Sequence, residues 1–301
     1  MPEQVRESNP TIVYIMGPGR SGTTILEILL ENSPGITGVG ELTHLFQDGF
    51  VDDAECSCGR DLDTCELWGE VKQKMALSLS DSKKAVQLFR NLDWHSGLVK
   101  ALRRSQNEDE WSHYSEINHK LFAAIEQVTD ANFIVDSSKY SARALNLHRL
   151  YPQQVKVLCV LRSPEGLMHS FLKPNKEEQR PKSLVNILVY YYLVCFSLRL
   201  SISKFKQDVL LIRYEDMIES PLKVLSSIEN HLDVDLSVSK KKIENKAVLD
   251  VGHIVTGNRL RKSKNLTFKQ GKATEIQPNI QQRVILKLMH LGAAILGLNK
   301  L

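Results

Sequence analysis

A β-branched run, Thr11-Ile-Val-Tyr-Ile-Met16, passes directly into Gly17-Pro-Gly-Arg-Ser-Gly-Thr-Thr24 and then into the apolar helical face of Ile25, Leu26, Ile28, Leu29 and Leu30. The run reads as a buried strand, the glycines as a turn, and Ser33-Pro34-Gly35 as the stop of the helix. A strand, turn and helix in this order leave backbone N–H groups unpaired at the helix start. The helix dipole favours negative charge there, so the unit is an anion site. The Gly17 to Gly22 spacing matches the start of a triphosphate-cradling loop, but Thr23 stands where that loop carries lysine. Arg20 is the one cation in the turn.

The alternation of strand and helix returns further on. Asn132-Phe-Ile-Val135 predicts a strand ending at Asp136-Ser-Ser-Lys139, with a helix through Leu150. Val155 to Leu161 predicts another, ending at Arg162-Ser163, and Pro164 suits the first position of the next helix. Val209 to Arg213 reads as a fourth strand, with helices at about 183–205, 221–232 and 280–296. Such alternation implies a parallel sheet covered on both faces. Between these units, residues 38–68 show no sustained period and read as a loop with short pieces, and 71–128 are helical and highly charged. The 301 residues suffice for a full core. With no repeat and no long linker, they read as one α/β domain, 1–301, carrying a helical insertion at about 69–130.

Composition narrows the function classes. Lys+Arg number 39 against 35 Asp+Glu, a net +4, too small for a general nucleic-acid binder but compatible with a local anion pocket. The start of the chain is polar and lacks a secretory apolar region, so a cytoplasmic location is the expectation. The apolar stretch Val185 to Leu198 is shorter than the ~20 residues that span a bilayer and reads as a buried helix. Five cysteines argue against a secreted disulfide framework, and Cys159 and Cys195 lie in apolar runs that suit core positions.

Pro18-Gly-Arg-Ser-Gly-Thr-Thr24 resembles the 5′-phosphosulfate loop of sulfotransferases that use 3′-phosphoadenylyl sulfate (PAPS), in the arginine form of carbohydrate and protein-tyrosine members. Asp136-Ser-Ser-Lys139, Leu161-Arg-Ser-Pro164 through Ser170, Ile212-Arg-Tyr-Glu-Asp216 and, more loosely, Gly257-Asn-Arg259 extend the likeness. The resemblance implies a P-loop-NTPase-like parallel sheet flanked by helices, and sulfuryl transfer to an acceptor hydroxyl on a carbohydrate, lipid, small alcohol or tyrosine. It places Gly19, Arg20, Ser21, Gly22, Thr23 and Thr24 on the donor, and Arg162 with Ser170 on its 3′-phosphate. Arg259 and Arg261 fall in a basic segment resembling the loop that closes over the nucleotide, although no Trp follows Trp111 where the family carries one. The chemistry fits without a catalytic metal, since a sulfuryl group carries less charge than a γ-phosphoryl group, whose transfer uses magnesium.

Transfer to a hydroxyl needs a general base. Glu41, in Gly38-Val-Gly-Glu-Leu42, resembles the Gly-Glu pair of tyrosylprotein sulfotransferases, and His44 is its rival. Related enzymes carry a lysine or serine where Lys139 stands, and the resemblance implies that it shares with Arg20 the stabilisation of the leaving oxygen. Two other classes stay open: a small-molecule kinase or NTPase, and a metal-holding interaction module on Cys56, Cys58 and Cys65. Those three cysteines admit a metal, a labile disulfide or plain packing, and sequence offers a fourth ligand only in His44 or Asp61. The residues that choose the acceptor fall in 42–128 and 174–200.

Overall fold

The computed structural model describes residues 9–173, 181–272 and 277–297. Residues 1–8 and 174–180, the latter part of the expected acceptor region, lie outside the described residues.

The chain opens with β1 (Thr11–Met16), α1 (Thr23–Glu31) and β2 (Ile36–Gly38), followed by a single helical turn, α2 (Leu42–His44). A helical stretch comes next, with α3 (Glu66–Met75), α4 (Leu79–Asp93), α5 (Leu98–Arg103) and α6 (Glu108–Thr129). Alternation resumes with β3 (Phe133–Lys139), α7 (Ser141–Leu150), β4 (Val155–Leu161), α8 (Pro164–Leu172), α9 (Leu184–Phe205) and β5 (Val209–Arg213). Then follow α10 (Tyr214–Glu219), α11 (Pro221–Leu232), α12 (Ser237–Glu244), a small ladder of β6 (Val248–Leu249) and β7 (Leu266–Thr267), and α13 (Ile280–Ile295).

Five strands form one parallel sheet in the order β2-β3-β1-β4-β5. The period of two along each strand splits its side chains between the two faces. Ile12, Tyr14 and Met16 of β1 enter one core with Val157 and Cys159 of β4 and with Trp68, Phe89 and Tyr114 of the helical segment. Val13 and Ile15 enter the other, with Leu158, Val160 and residues of α1 and α11. Both faces are covered, so the central strands read as unbroken apolar runs, as parallel sheets do.

Three elements differ from expectation. β2 adds an edge strand that sequence did not predict, because three residues carry too little periodicity to register; it pairs Ile36 with Phe133. β3 runs on to Lys139, because Asp136 is buried within it and neutralised by Arg143. The third is α9, expected to be buried. It buries Ile187, Tyr191, Val194, Cys195 and Leu198, yet exposes Val185, Val189, Leu193 and Phe196. Leu184–Asp208 is long and apolar enough to cross a membrane by length and composition, and 39% of its most apolar stretch is buried against the rest of the fold.

Candidate functional site

All five strands point their carboxyl ends to one edge, and β1 sits between the branch leading to β3 and β2 and the branch leading to β4 and β5. Open α/β sheets form their ligand crevice at such a reversal. A cavity of about 720 Å³ opens here. Gly17, Gly19, Arg20, Gly22, Thr23 and Thr24 form one wall of it. Gly22 takes φ 85°, and a Cβ there would stand 2.7 Å from the Tyr214 ring, so glycine is required on both counts. No side chain caps α1, and no acid stands in its first turn, which leaves the helix terminus electropositive toward the cleft. Ser21 is fully buried in the loop, and its hydroxyl has no partner among the described residues.

Arg162, just after β4, and Ser170 on α8 also line the cavity. Ser163 caps α8 by accepting from Gly166 N at 3.2 Å, and Pro164 opens the helix. Arg162 donates from one terminal nitrogen to the Arg20 carbonyl and lies 4.1 Å over the Tyr214 ring. Its Nε is buried and has no partner among the described residues, and burial pulls the guanidinium below its usual pKa. An anion reaching this guanidinium would find a donor short of partners. Arg259 also lines the cavity, whereas Arg261 does not: its guanidinium donates to the carbonyls of Glu55 at 3.0 Å and Ile254 at 3.4 Å.

Glu41 and Lys139 meet on the same cavity as an ion pair between Oε1 and Nζ. The peptide carrying Glu41 is held from three directions. Val39 N donates to Val135 O at 3.0 Å, Ser137 N to Gly40 O at 2.9 Å, and Thr256 Oγ1 to Glu41 O at 3.0 Å. Beneath it, Glu27 accepts from Gly40 N at 2.5 Å and from Ser137 Oγ at 2.6 Å, and Glu31 accepts from Gly38 N. Burial, the largest influence on each, pushes both carboxyls up to about 8. Gly40 takes φ 72°, and a Cβ there would come within 2.9 Å of Ile254 Cγ2.

His44, the rival base, is not on the cavity wall; its ring packs 5.5 Å from Trp94 and 6.1 Å from Tyr140. A different histidine, His95, does line the cavity, and burial lowers its pKa.

Residues 10–238 match the sulfotransferase family. The chain belongs to that family. Among solved structures, it is similar to the sulfotransferase domain from the Synechococcus PCC 7002 olefin synthase, with a TM-score of 0.50 and 20% identity over 97% of this chain and 98% of that one. A sulfotransferase domain from the curacin biosynthetic pathway follows at a TM-score of 0.48 and 17% identity, covering 94% of this chain and 99% of that one. A sulfotransferase from Alicyclobacillus acidocaldarius gives 0.47 and 16% over 96% and 94% of the two chains. The first of these likenesses carries the fold, a P-loop-NTPase-like sheet flanked by helices. No curated protein matches the sequence significantly.

This sulfotransferase also recruits residues that sequence reasoning missed or left in doubt. Tyr190, on α9, accepts from Gly19 N at 2.7 Å and so contacts the Gly17–Thr24 loop directly. Lys182 lines the cavity with Nζ 4.4 Å over the Tyr190 ring and 4.7 Å over Phe171. Arg143 is wholly buried between Asp136 at 2.7 Å and Asp93 at 2.9 Å, behind the strand end that carries Lys139. The cysteine loop gains its fourth neighbour from His253, far along the chain, and neither His44 nor Asp61 takes part.

Proposed function

We propose that this sulfotransferase binds PAPS in the cleft and moves its sulfuryl group to an acceptor hydroxyl, releasing a sulfate ester and adenosine 3′,5′-bisphosphate. The observation that carries the reading is convergence: the Arg20 loop, the Glu41–Lys139 pair and Arg162 with Ser170 all line one cavity. Loop amides and Arg20 hold the 5′-phosphosulfate, and Arg162 and Ser170 hold the 3′-phosphate. Arg259 closes over the nucleotide. Glu41 accepts the proton of the attacking hydroxyl, so that oxygen bonds to sulfur as the sulfur-to-phosphate oxygen bond breaks. Lys139, already beside Glu41, turns toward the leaving oxygen as charge develops there.

Phosphoryl transfer is the weaker reading on two residues. Thr23 stands in the lysine position of a triphosphate loop. Asp136, an acid that could hold magnesium, lies within β3 and already accepts from Arg143 at 2.7 Å and from the Ser138 amide at 3.0 Å. The sulfuryl step proposed here asks for no catalytic metal. The test supplies ³⁵S-labelled PAPS with a panel of hydroxyl acceptors, and ATP with magnesium in parallel. Label appearing in an acceptor together with adenosine 3′,5′-bisphosphate supports the reading. Turnover of ATP with no turnover of PAPS overturns it.

A further inference from the structure

Cys56, Cys58 and Cys65 lie in one loop, and His253 comes from the segment between β6 and β7. Their four donor atoms all lie within 4.8 Å of one another. Cys58 Sγ is 3.8 Å from Cys65 Sγ, and His253 Nδ1 is 3.9 Å from Cys56 Sγ and 3.2 Å from Cys65 Sγ. A tetrahedral zinc with bonds of ~2.3 Å to sulfur sets its ligands about 3.8 Å apart. The cluster therefore already has close to the spacing of a filled site.

We propose that Cys56, Cys58, Cys65 and His253 bind one zinc ion as a closed, structural Cys₃His site. The donor set is soft, four-membered and tetrahedral in spacing, which selects zinc over the hard cations that prefer oxygen. Binding releases the thiol protons to solvent and leaves three thiolates and a neutral imidazole on the metal, a net charge of −1. Arg261 suits that charge, since it bridges the carbonyls of Glu55 and Ile254, each next in sequence to a ligand. This gives Arg261 a task away from the nucleotide.

The surroundings hold the ligands in position without help from the metal. Gly59 N donates to Cys56 O at 2.9 Å and Cys56 N to Arg60 O at 3.0 Å, which folds the loop into a tight turn that presents Cys56 and Cys58 together. Ser57 stitches that turn to the second segment: its hydroxyl donates to Gly252 O at 2.6 Å and accepts from Ile254 N at 2.7 Å. Trp68 Nε1 donates to His253 O at 2.5 Å. Cys56 and Cys65 are buried, and Cys58 is exposed at the rim.

The consequence reaches the cleft. Thr256, three residues after His253, donates to the Glu41 carbonyl, and Gly257, Asn258 and Arg259 line the cavity. Zinc thus ties the segment that carries Arg259 to the loop that follows Glu41. The site stands on its own ligands and does not depend on the identity of the donor nucleotide.

The experiment uses the full chain, purified without chelators under reducing conditions, and measures metal by inductively coupled plasma mass spectrometry. One zinc per chain is expected, with Cys58→Ser and His253→Ala each lowering that content at least several-fold. Cys58 is exposed, so its variant should still fold, and circular dichroism checks this. Wild-type protein stripped of metal and given Co²⁺ should develop thiolate-to-cobalt charge-transfer absorption and strong tetrahedral visible bands. Hydrogen exchange over residues 250–258 should rise on stripping. Reduced, folded protein that contains no zinc and gives no thiolate–cobalt spectrum overturns the proposal, as does zinc content unchanged in both variants. Nucleotide binding is read separately, so loss of either reading leaves the other standing.

Discussion

Arg20 and Lys139 both hold left-handed backbone angles, φ 71° and 73°, which L side chains adopt at a cost of roughly 1–2 kcal/mol each. Both line the cavity, and such strain tends to gather at functional sites. Glu41→Gln should lower turnover on the order of a hundredfold while leaving nucleotide affinity nearly unchanged, read by steady-state kinetics beside calorimetry. Equal turnover in wild type and Glu41→Gln would remove Glu41 from the base role and turn attention to His95. Gly40→Ala should lower both stability and activity, since its Cβ would press on Ile254 at 2.9 Å in a backbone that already disfavours it. The loop residues, Lys139 and Arg162 could be picked out in sequence because each closely follows a recognisable strand, whereas Glu41 came from the resemblance of its Gly-Glu pair. His253, Tyr190 and Lys182 could not. They reach their partners only through tertiary contact, and a histidine 188 residues from Cys65 carries no spacing signal.

Helix α1 does more than present its N-terminus to the cleft. Glu27 and Glu31, one turn apart, reach under the Gly38–Glu41 peptide and accept its amides. Their carboxyls are raised from 4.5 to about 8, so the folded chain holds protons that the unfolded chain releases. The stability they contribute is full below pH ~4.5 and is lost as pH rises through about 8. Thermal unfolding should therefore show Tm falling between pH 6 and 8.5, and Glu27→Gln, neutral at every pH, should flatten that slope. A slope unchanged in the variant would place the proton elsewhere. Arg143 makes the second brace. Asp93→Ala leaves its fully buried guanidinium with only one carboxylate, and urea denaturation should register a loss of about 3–5 kcal/mol. Sequence placed Asp136 at a strand end, but the Arg143 that buries it lies one helix later, so the strand looked shorter than it is. The exposure of α9 was hidden likewise, since an apolar run does not say whether one face or both are covered.

Across the whole molecule, four of the five sheet strands were evident from β-branched runs and their glycine, proline or polar ends. Parallel pairing followed from the alternation with helices. The strand order did not, because nothing local records that β1 lies between β3 and β4. That order is what gathers the loop after β1, the end of β3 and the start of α8 onto one edge, and it turns scattered cations into a pocket. Net charge of +4 says little, whereas the placement of Arg20, Lys139 and Arg162 around one cavity says much. The most direct test of this placement is thermal and chemical denaturation with and without adenosine 3′,5′-bisphosphate, on wild type and Arg162→Ala. At a hundred times its dissociation constant the ligand should stabilise wild type by about 2.7 kcal/mol, and the variant at the same concentration far less. No stabilisation of wild type at saturating ligand would contradict the account.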